Sequence, residues 1–500
     1  MKLILLWVST FLYVTALAAQ PADGPTLWRD AEVTQFRLPL ATWGKAPSLL
    51  KEKQYYALPE VNLKTYPVYA PDKEPAGYLD WLRQQDPQPL VDYSKLKTDA
   101  DWIAAGREIF YGRELPRFTG SEHNLAMIRN PQVLAAYRLN TTAEGVLVGL
   151  RYVVREKGKV ELGTDTCAMC HVQIRDGKLI EGPANTHTPF GPLMGDLTRR
   201  YQQMSPQMLD ERRRKHMRED YRVPFLADDP NLKIADLPAE EIAGLYDAHP
   251  LGVHGRTNTS LRYPVKISNL IGVADLKYLD HTGTARNRGL TDLARYSGMI
   301  GDVTDSLTRY ADGPEGKLVL EHMGLGGGVK RSPDAAWFAV ARFLTSLKPP
   351  ANPNTVDDQA RRGQQVFARA GCSGCHPAPL YTNNRLTLAQ GFTPPPADRT
   401  RYNVMPLSVG TDPNLALKTR KGTGYYRVPS LRMIWMDAAF LHDGSIGSLE
   451  ELFNPDRLKP EFRSSNWHAK TPPRAVEGHR FGLDLPAADR AALIRFLKTL

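Results

Sequence analysis

The sequence predicts a mainly α chain of two tandem units with long loops and a small β-hairpin. Three observations carry that prediction. The phrase Cys-x-x-Cys-His occurs twice, as Cys167-Ala168-Met169-Cys170-His171 and as Cys372-Ser373-Gly374-Cys375-His376. Each half has one helical pattern ahead of its phrase and another at its close. Between these lies long Pro- and Gly-marked text with weak periodicity, as expected where side chains alone do not fill the core.

Cys-x-x-Cys-His is the attachment pattern of haem c. The two thiols each add to a haem vinyl group, and the adjacent His reaches the iron as proximal ligand. The chain holds four cysteines and the two phrases use all of them, so no disulfide is available. A zinc site made of two Cys pairs keeps the pairs within ~20 residues of each other. Here they lie about 200 apart. A thioredoxin-type dithiol needs no His after each pair. The residues therefore point to two covalently bound haem c groups, one on Cys167 and Cys170 with His171, the other on Cys372 and Cys375 with His376. Each half then reads as a cytochrome c-like domain whose core the haem helps to fill.

The 500 residues suffice for two or three domains. A composition of 42% hydrophobic and 24% charged residues is that of a globular protein. Residues 1–18 read as a secretory signal peptide: Lys2 is the positive start, 3–17 the apolar run, and Ala16-Leu17-Ala18 the cleavage site. The run is shorter than the ~20 apolar residues a spanning helix needs. No later stretch is apolar enough to span, so no transmembrane segment is expected after signal removal. Haem c is attached outside the cytoplasm, in agreement with a periplasmic or secreted chain. A formal charge of +10 on an exported chain points away from nucleic acid. It leaves docking onto a small acidic redox protein or an ordinary solvated surface. Arg212-Arg213-Arg214-Lys215, beside Asp210 and Glu211, suits the second reading.

Taken in order, residues 19–95 read as an irregular, Pro-rich extension. Residues 98–112 read as a helix with Asp101 as N-cap and Ile103, Ile109 and Phe110 on one face. Two β-rich runs, 146–154 and Lys159–Leu162, flank a Glu156-Lys157-Gly158 turn and predict a hairpin leading into the first Cys pair. After His171 the text is loop as far as Phe190-Gly191-Pro192, and the helical, polar stretch 196–246 reads as an insertion near 196–250. A helix over 335–347 ends at Lys348-Pro349-Pro350, the best boundary in the chain. It divides a first domain, 96–350, from a second, 351–500. A helix over 356–370 delivers Gly371 and Cys372, and 377–425 is loop. Residues 486–500 close the chain as a helix with Leu493, Phe496, Leu497 and Leu500 on one side.

Three stretches resemble the bacterial di-haem cytochrome c peroxidase and MauG superfamily. Ala104-Ala105-Gly106-Arg107-Glu108-Ile109-Phe110-Tyr111 is similar to its opening helix. Arg361-Arg362-Gly363-Gln364-Gln365-Val366-Phe367, followed by Gly371-Cys372, is similar to its approach to the second haem. The most specific stretch is Tyr426-Arg427-Val428-Pro429-Ser430-Leu431-Arg432 with Phe440-Leu441-His442-Asp443-Gly444-Ser445, Leu449-Glu450-Glu451-Leu452 and Gly478-His479-Arg480-Phe481-Gly482-Leu483. The resemblance implies that one haem activates hydrogen peroxide and the other passes electrons to it. It also implies a calcium ion between the domains, with Asn258 among its ligands. Tyr278 stands nearest to the family's bridging Trp, and Asp302 or Asp305 nearest to its catalytic Glu. Where the peroxidases place a Met ligand, shortly after His442, this chain reads Phe453-Asn454-Pro455-Asp456. Ile434-Trp435 and Leu452-Phe453-Asn454-Pro455, with Arg457 and Pro460, resemble the rubber-oxygenase branch. There the second haem has two His ligands and the first handles oxygen, which makes His479 the second ligand here.

The sixth position of each iron decides the function. An open position binds peroxide or oxygen, and a firmly held strong-field ligand leaves electron transfer. For the first haem the candidates are His187, sixteen residues after His171, and His254. For the second they are His442, His479, Met405, Met433 and Met436. His442 is alternatively a catalytic proton donor in the pocket. Three functions follow: a peroxidase-like oxidoreductase, an oxygenase acting on an organic substrate, and a di-haem electron carrier.

Overall fold

Two helix pairs carry the architecture, and a glycine makes each of them possible. The computed structural model describes residues 25–41, 51–113, 129–163, 166–204, 229–255, 259–301, 330–466 and 476–500, with Glu211, Arg214, Arg218, Val223 and Leu226 between. In the first pair, Asp99–Gly112 packs on Asp334–Ser346 so closely that a Cβ on Gly106 would stand 2.0 Å from the Ala339 carbonyl oxygen. In the second, Asp358–Arg369 packs on Ala487–Leu497, and a Cβ on Gly363 would stand 1.9 Å from the Ala492 carbonyl oxygen. Phe110 meets Phe343 with ring centroids 5.2 Å apart, and Phe367 meets Phe496 at 5.4 Å. Arg342 pairs with Asp99, and Arg495 with Asp357. Both closing helices contain Ala-x-x-Arg-Phe-Leu, at 339–344 and 492–497. The same three positions thus supply the backbone contact, the ion pair and the ring contact in each pair.

The first helix begins one turn differently from expectation. Thr98 has extended backbone and is the N-cap, accepting from the Asp101 N–H. Asp101 lies three residues on and accepts from the Thr98 N–H at 2.7 Å, which completes a capping box.

A second repeated feature lies between the helices. The short 3-10 turns Val273–Asp275 and Ile434–Met436 each follow a left-handed residue, Gly272 and Met433. Each then leads into a brief antiparallel pairing, Leu279 with Ala285 and Phe440 with Ile446.

The expected hairpin forms from Val146–Glu156 and Lys159–Leu162, and Thr65–Tyr69 adds a third antiparallel strand. A further hairpin, Val172–Arg175 with Lys178–Glu181, follows His171 where loop was expected. Strands of four residues carry too little alternation to stand out from loop. The chain is therefore helical with a few small antiparallel sheets.

The 19–95 stretch is not irregular in its described parts. It supplies the third strand and the helices Asp30–Phe36, Glu52–Tyr56 and Tyr78–Gln84. Leu27, Trp28, Val33 and Phe36 are buried in one core with Trp337 and Phe338. Helices of five to seven residues are too short to be stable or legible alone. Distant contacts hold them, such as the Leu27 N–H donating to Asp334 at 2.7 Å.

The helices Phe190–Met204, Pro230–Ala235 and Ala239–Asp247 occupy the expected insertion, and Arg199, paired with Asp196 on its own helix, joins the first to the third through Glu240 and Asp247. From the basic run, Arg214 donates to the Ala235 carbonyl at 3.2 Å. Among the described residues no helix is long and apolar enough to cross a membrane. Residues 1–18 lie outside them.

Candidate functional site

Gly371, left-handed at φ 76°, ends the Asp358–Arg369 helix and turns the chain into Cys372–Gly374. Both thiols and His376 thereby line one cavity of about 270 Å³. A redox dithiol needs a depressed thiol pKa, whereas burial pushes the Cys372 and Cys375 thiols up. Cys167 packs against a different core cluster from Cys372. Among the described residues no three His, Cys, Asp or Glu side chains are grouped to hold a metal ion, so no four-thiol zinc site forms.

His376 keeps Nδ1 3.0 Å from the Tyr381 carbonyl. A carbonyl can only accept, so Nδ1 carries the proton and Nε2 keeps its lone pair. Burial pushes the imidazole pKa down, against the raising effect of the Tyr381 and Pro429 carbonyls, so the ring is neutral near pH 7.

His479 lines the same cavity. Burial first, then the nearby charges of His376 and Arg457, hold its pKa at about 4. Its Nδ1 is buried and makes no hydrogen bond. His442 lines the cavity too, but hydroxyls face both its ring nitrogens. Nδ1 lies 3.1 Å from Thr411 Oγ1, and Nε2 lies 3.4 Å from the Tyr426 hydroxyl. Met405, Met433 and Met436 do not line the cavity. Met405 accepts from the Asn383 side chain at 3.3 Å, and Met433 caps a 3-10 turn. Two thiols, two neutral imidazoles and an orphaned Nδ1 fit a haem c. His376 and His479 both line the cavity that such a group would occupy.

The polar wall of this cavity draws on both halves of the chain. The Lys266 N–H donates to the His442 carbonyl at 2.9 Å, and the Arg427 N–H donates to the His281 carbonyl at 2.9 Å. His281 Nε2 lies 3.0 Å from both Ser268 Oγ and the Lys266 carbonyl. Burial, then the Arg427 charge, pushes its pKa far down. His281, Thr411, Tyr426 and Arg427 were not singled out from the sequence as site residues. The signal that points to His281 is the echo of His281-Thr282-Gly283-Thr284 in His442-Asp443-Gly444-Ser445.

At the first Cys pair, Cys167–Cys170 forms one helical turn against Gly149, where a Cβ would stand 2.5 Å from the Met169 nitrogen. Asn185, also missed from the sequence, anchors the next loop to this turn. Its side chain donates to the Met169 carbonyl at 2.9 Å and accepts from the His187 N–H at 3.0 Å. Burial and the Arg138 charge push the His187 pKa down. The His254 ring stacks on Phe190 at 5.5 Å, and Phe190 shares a core cluster with Met169. Asn185 thus ties His187 directly to the first motif, whereas His254 is linked to it only through Phe190. Tyr278 is buried and donates to the Tyr402 carbonyl at 2.6 Å, which ties it to the second half. Asn258, Asp302 and Asp305 lie outside the described residues.

No family model and no curated protein matches the chain. Solved structures that match include a hydrazine synthase of Kuenenia stuttgartiensis, at 15% identity over 58% of this chain and 86% of that one, with a TM-score of 0.28. Another is a MauG-like protein associated with microbial copper homeostasis, at 16% identity over 58% and 88%, with a TM-score of 0.29. A third is the diheme peroxidase BthA from Burkholderia thailandensis, at 17% identity over 50% and 72%, with a TM-score of 0.26. Overlaps this partial carry no argument, and the site is read from its own residues.

Proposed function

We propose that the chain is an exported di-haem c-type cytochrome that works as a peroxidase-like oxidoreductase, built from two tandem cytochrome c-like domains. A haem on each Cys pair would supply an iron that reduces peroxide in the first domain and one that passes electrons in the second. The observation that supports an electron-passing second haem, in this reading and in the one below, is His376 and His479 in one cavity with Cys372 and Cys375. His376 and His479 would hold that haem's iron as two neutral imidazoles, which would favour electron transfer there. Substrate is thereby left to the His171 site.

The chain's own groups support this division. The Tyr381 carbonyl orients His376 and raises the basicity of its Nε2. Reducing one peroxide to two waters consumes two electrons and two protons. His187, kept neutral near pH 7 by burial, stands beside the first motif as a group able to take up and return a proton. His442, between Thr411 and Tyr426, would be the proton-handling group of the second cavity only if substrate reached that cavity. The +10 charge supports a small acidic redox protein as electron donor. Residues 1–18 support a periplasmic or secreted location.

A second reading, an oxygenase acting on an organic substrate, is favoured by one observation. His479 lines the second cavity and no methionine of the described chain does. That agrees with a two-His second haem.

Low-temperature EPR on the haem-loaded protein, as isolated and after one-electron reduction, tests the proposal. The expected result is one low-spin haem and a high-spin ferric signal in at least one state. Adding peroxide, or oxygen with an organic substrate, then separates the two readings. Two haems that stay low-spin in both states would leave an electron carrier.

A further inference from the structure

His479 can face the cavity only if its loop is held in a conformation that a non-glycine residue rarely adopts. Its φ is 47°, in the left-handed region. The residue before it, Gly478, is also left-handed at φ 88°, and a Cβ there would stand 2.5 Å from Thr411 Cα. The His479 N–H donates to the Val409 carbonyl at 2.7 Å, which holds one side of the loop.

The other side is held by Arg457, which is wholly buried. Its Nε donates to the Leu452 carbonyl at 2.9 Å and its Nη1 to the Val476 carbonyl at 2.7 Å. Its Nη2 donates to the Gly478 carbonyl at 2.7 Å and to the His479 carbonyl at 2.8 Å. The Val476 N–H returns a bond to the Arg457 carbonyl at 3.1 Å. Among the described residues the guanidinium makes no ion pair. A buried charge is costly unless hydrogen bonds satisfy it, and here main-chain carbonyls do so, two of them at the strained residues themselves. Asn454 fixes the base of the clamp by capping the Pro455–Leu458 turn, its side chain accepting from the Asp456 N–H at 3.0 Å.

We infer that Arg457 is the positioning residue for His479: its planar fork clamps the 476–479 backbone so that the imidazole reaches the haem iron. This rests on the reading of His479 as the second axial ligand. A lysine keeps the charge but has no planar fork to span four carbonyls, so the inference concerns geometry rather than charge.

The test uses the full-length, haem-loaded protein and low-temperature EPR, with haem content measured in parallel. His479→Ala is expected to lose the low-spin signal of the second haem, and added imidazole to restore it. Arg457→Gln and Arg457→Lys are both expected to lose that signal at unchanged haem content, again with recovery in imidazole. A low-spin signal that survives His479→Ala overturns the ligand assignment, and the inference with it. A signal lost in His479→Ala but intact in Arg457→Gln overturns the clamp alone. A signal lost in the glutamine variant and intact in the lysine variant also overturns it, because charge would then suffice. If the Arg457 variants yield no haem-loaded protein, Asn454→Ala is measured in their place. It loosens the base of the clamp and is expected to weaken the low-spin signal, and an unchanged signal overturns the inference.

Discussion

Lys421 donates its ammonium to the Asp280 carboxylate, and the two residues come from opposite sides of the Lys348-Pro349-Pro350 boundary. Both side chains are buried, at 4% and 3% exposure. The Tyr296 hydroxyl adds a bond to the same carboxylate at 2.9 Å. This pair therefore ties the two halves next to the wall that carries His281.

Breaking the pair from one side leaves an uncompensated buried charge. Lys421→Met is expected to destabilise the protein by about 3–5 kcal/mol. The double variant Lys421→Met with Asp280→Asn should recover much of that loss, because Asn is neutral, tolerates the left-handed φ of 72° at this position and can still hydrogen-bond both Tyr296 and the His281 N–H. Denaturant unfolding of the wild type, both single variants and the double variant measures the cycle. A double variant no better than Lys421→Met would show that packing, not charge, sets the cost.

The same pair gives a pH dependence with a definite sign. Burial raises the Asp280 pKa, but the Lys421 and His281 charges and the bonds from Lys421 and Tyr296 outweigh it and leave it well below 3.8. A carboxylate depressed on folding adds stability above its unfolded pKa and loses it as pH falls through the folded value. The wild type should therefore lose stability below about pH 4 more steeply than the double variant. Thermal unfolding of both proteins at several pH values checks this, and parallel curves would rule it out.

Gly106→Ala and Gly363→Ala should each cost about 3 kcal/mol, the upper end for an added methyl, because it meets helix backbone rather than a movable side chain. The clash is with Ala339 in one case and Ala492 in the other. Unfolding midpoints that shift little would mean the helix pairs can slide apart.

The double variant Cys372→Ala with Cys375→Ala is expected to lower the covalently retained haem from two per chain to one, and Cys167→Ala with Cys170→Ala to do the same for the other site. Pyridine haemochrome absorbance on denatured, extracted protein reads the count directly. Unchanged haem in both variants would remove the attachment assignment.

His442→Ala should leave the axial ligation of the second haem intact, because Thr411 and Tyr426 face its ring nitrogens. Conversion of that haem to high spin would make His442 the ligand instead.

Local spacing was enough to mark the Cys-x-x-Cys-His phrases, because attachment chemistry needs its thiols and imidazole within a few residues. It was also enough for the helix before Gly112 and for the hairpin turning at Glu156-Lys157-Gly158, since both are closed by bonds between near neighbours. The buried role of Leu27 and Trp28 was not legible, because their partners lie about 300 residues away at Trp337 and Phe338. Nor was the difference between His442 and His479. Each is a lone histidine in polar text, and only folding brings Thr411 and Tyr426 to the one and His376 and Arg457 to the other. The sequence by itself determined which atoms can bind a haem. The tertiary structure decided which imidazole of the cavity is met by hydroxyls and which keeps a bare Nδ1, because that depends on burial and hydrogen bonds between segments that no local pattern connects.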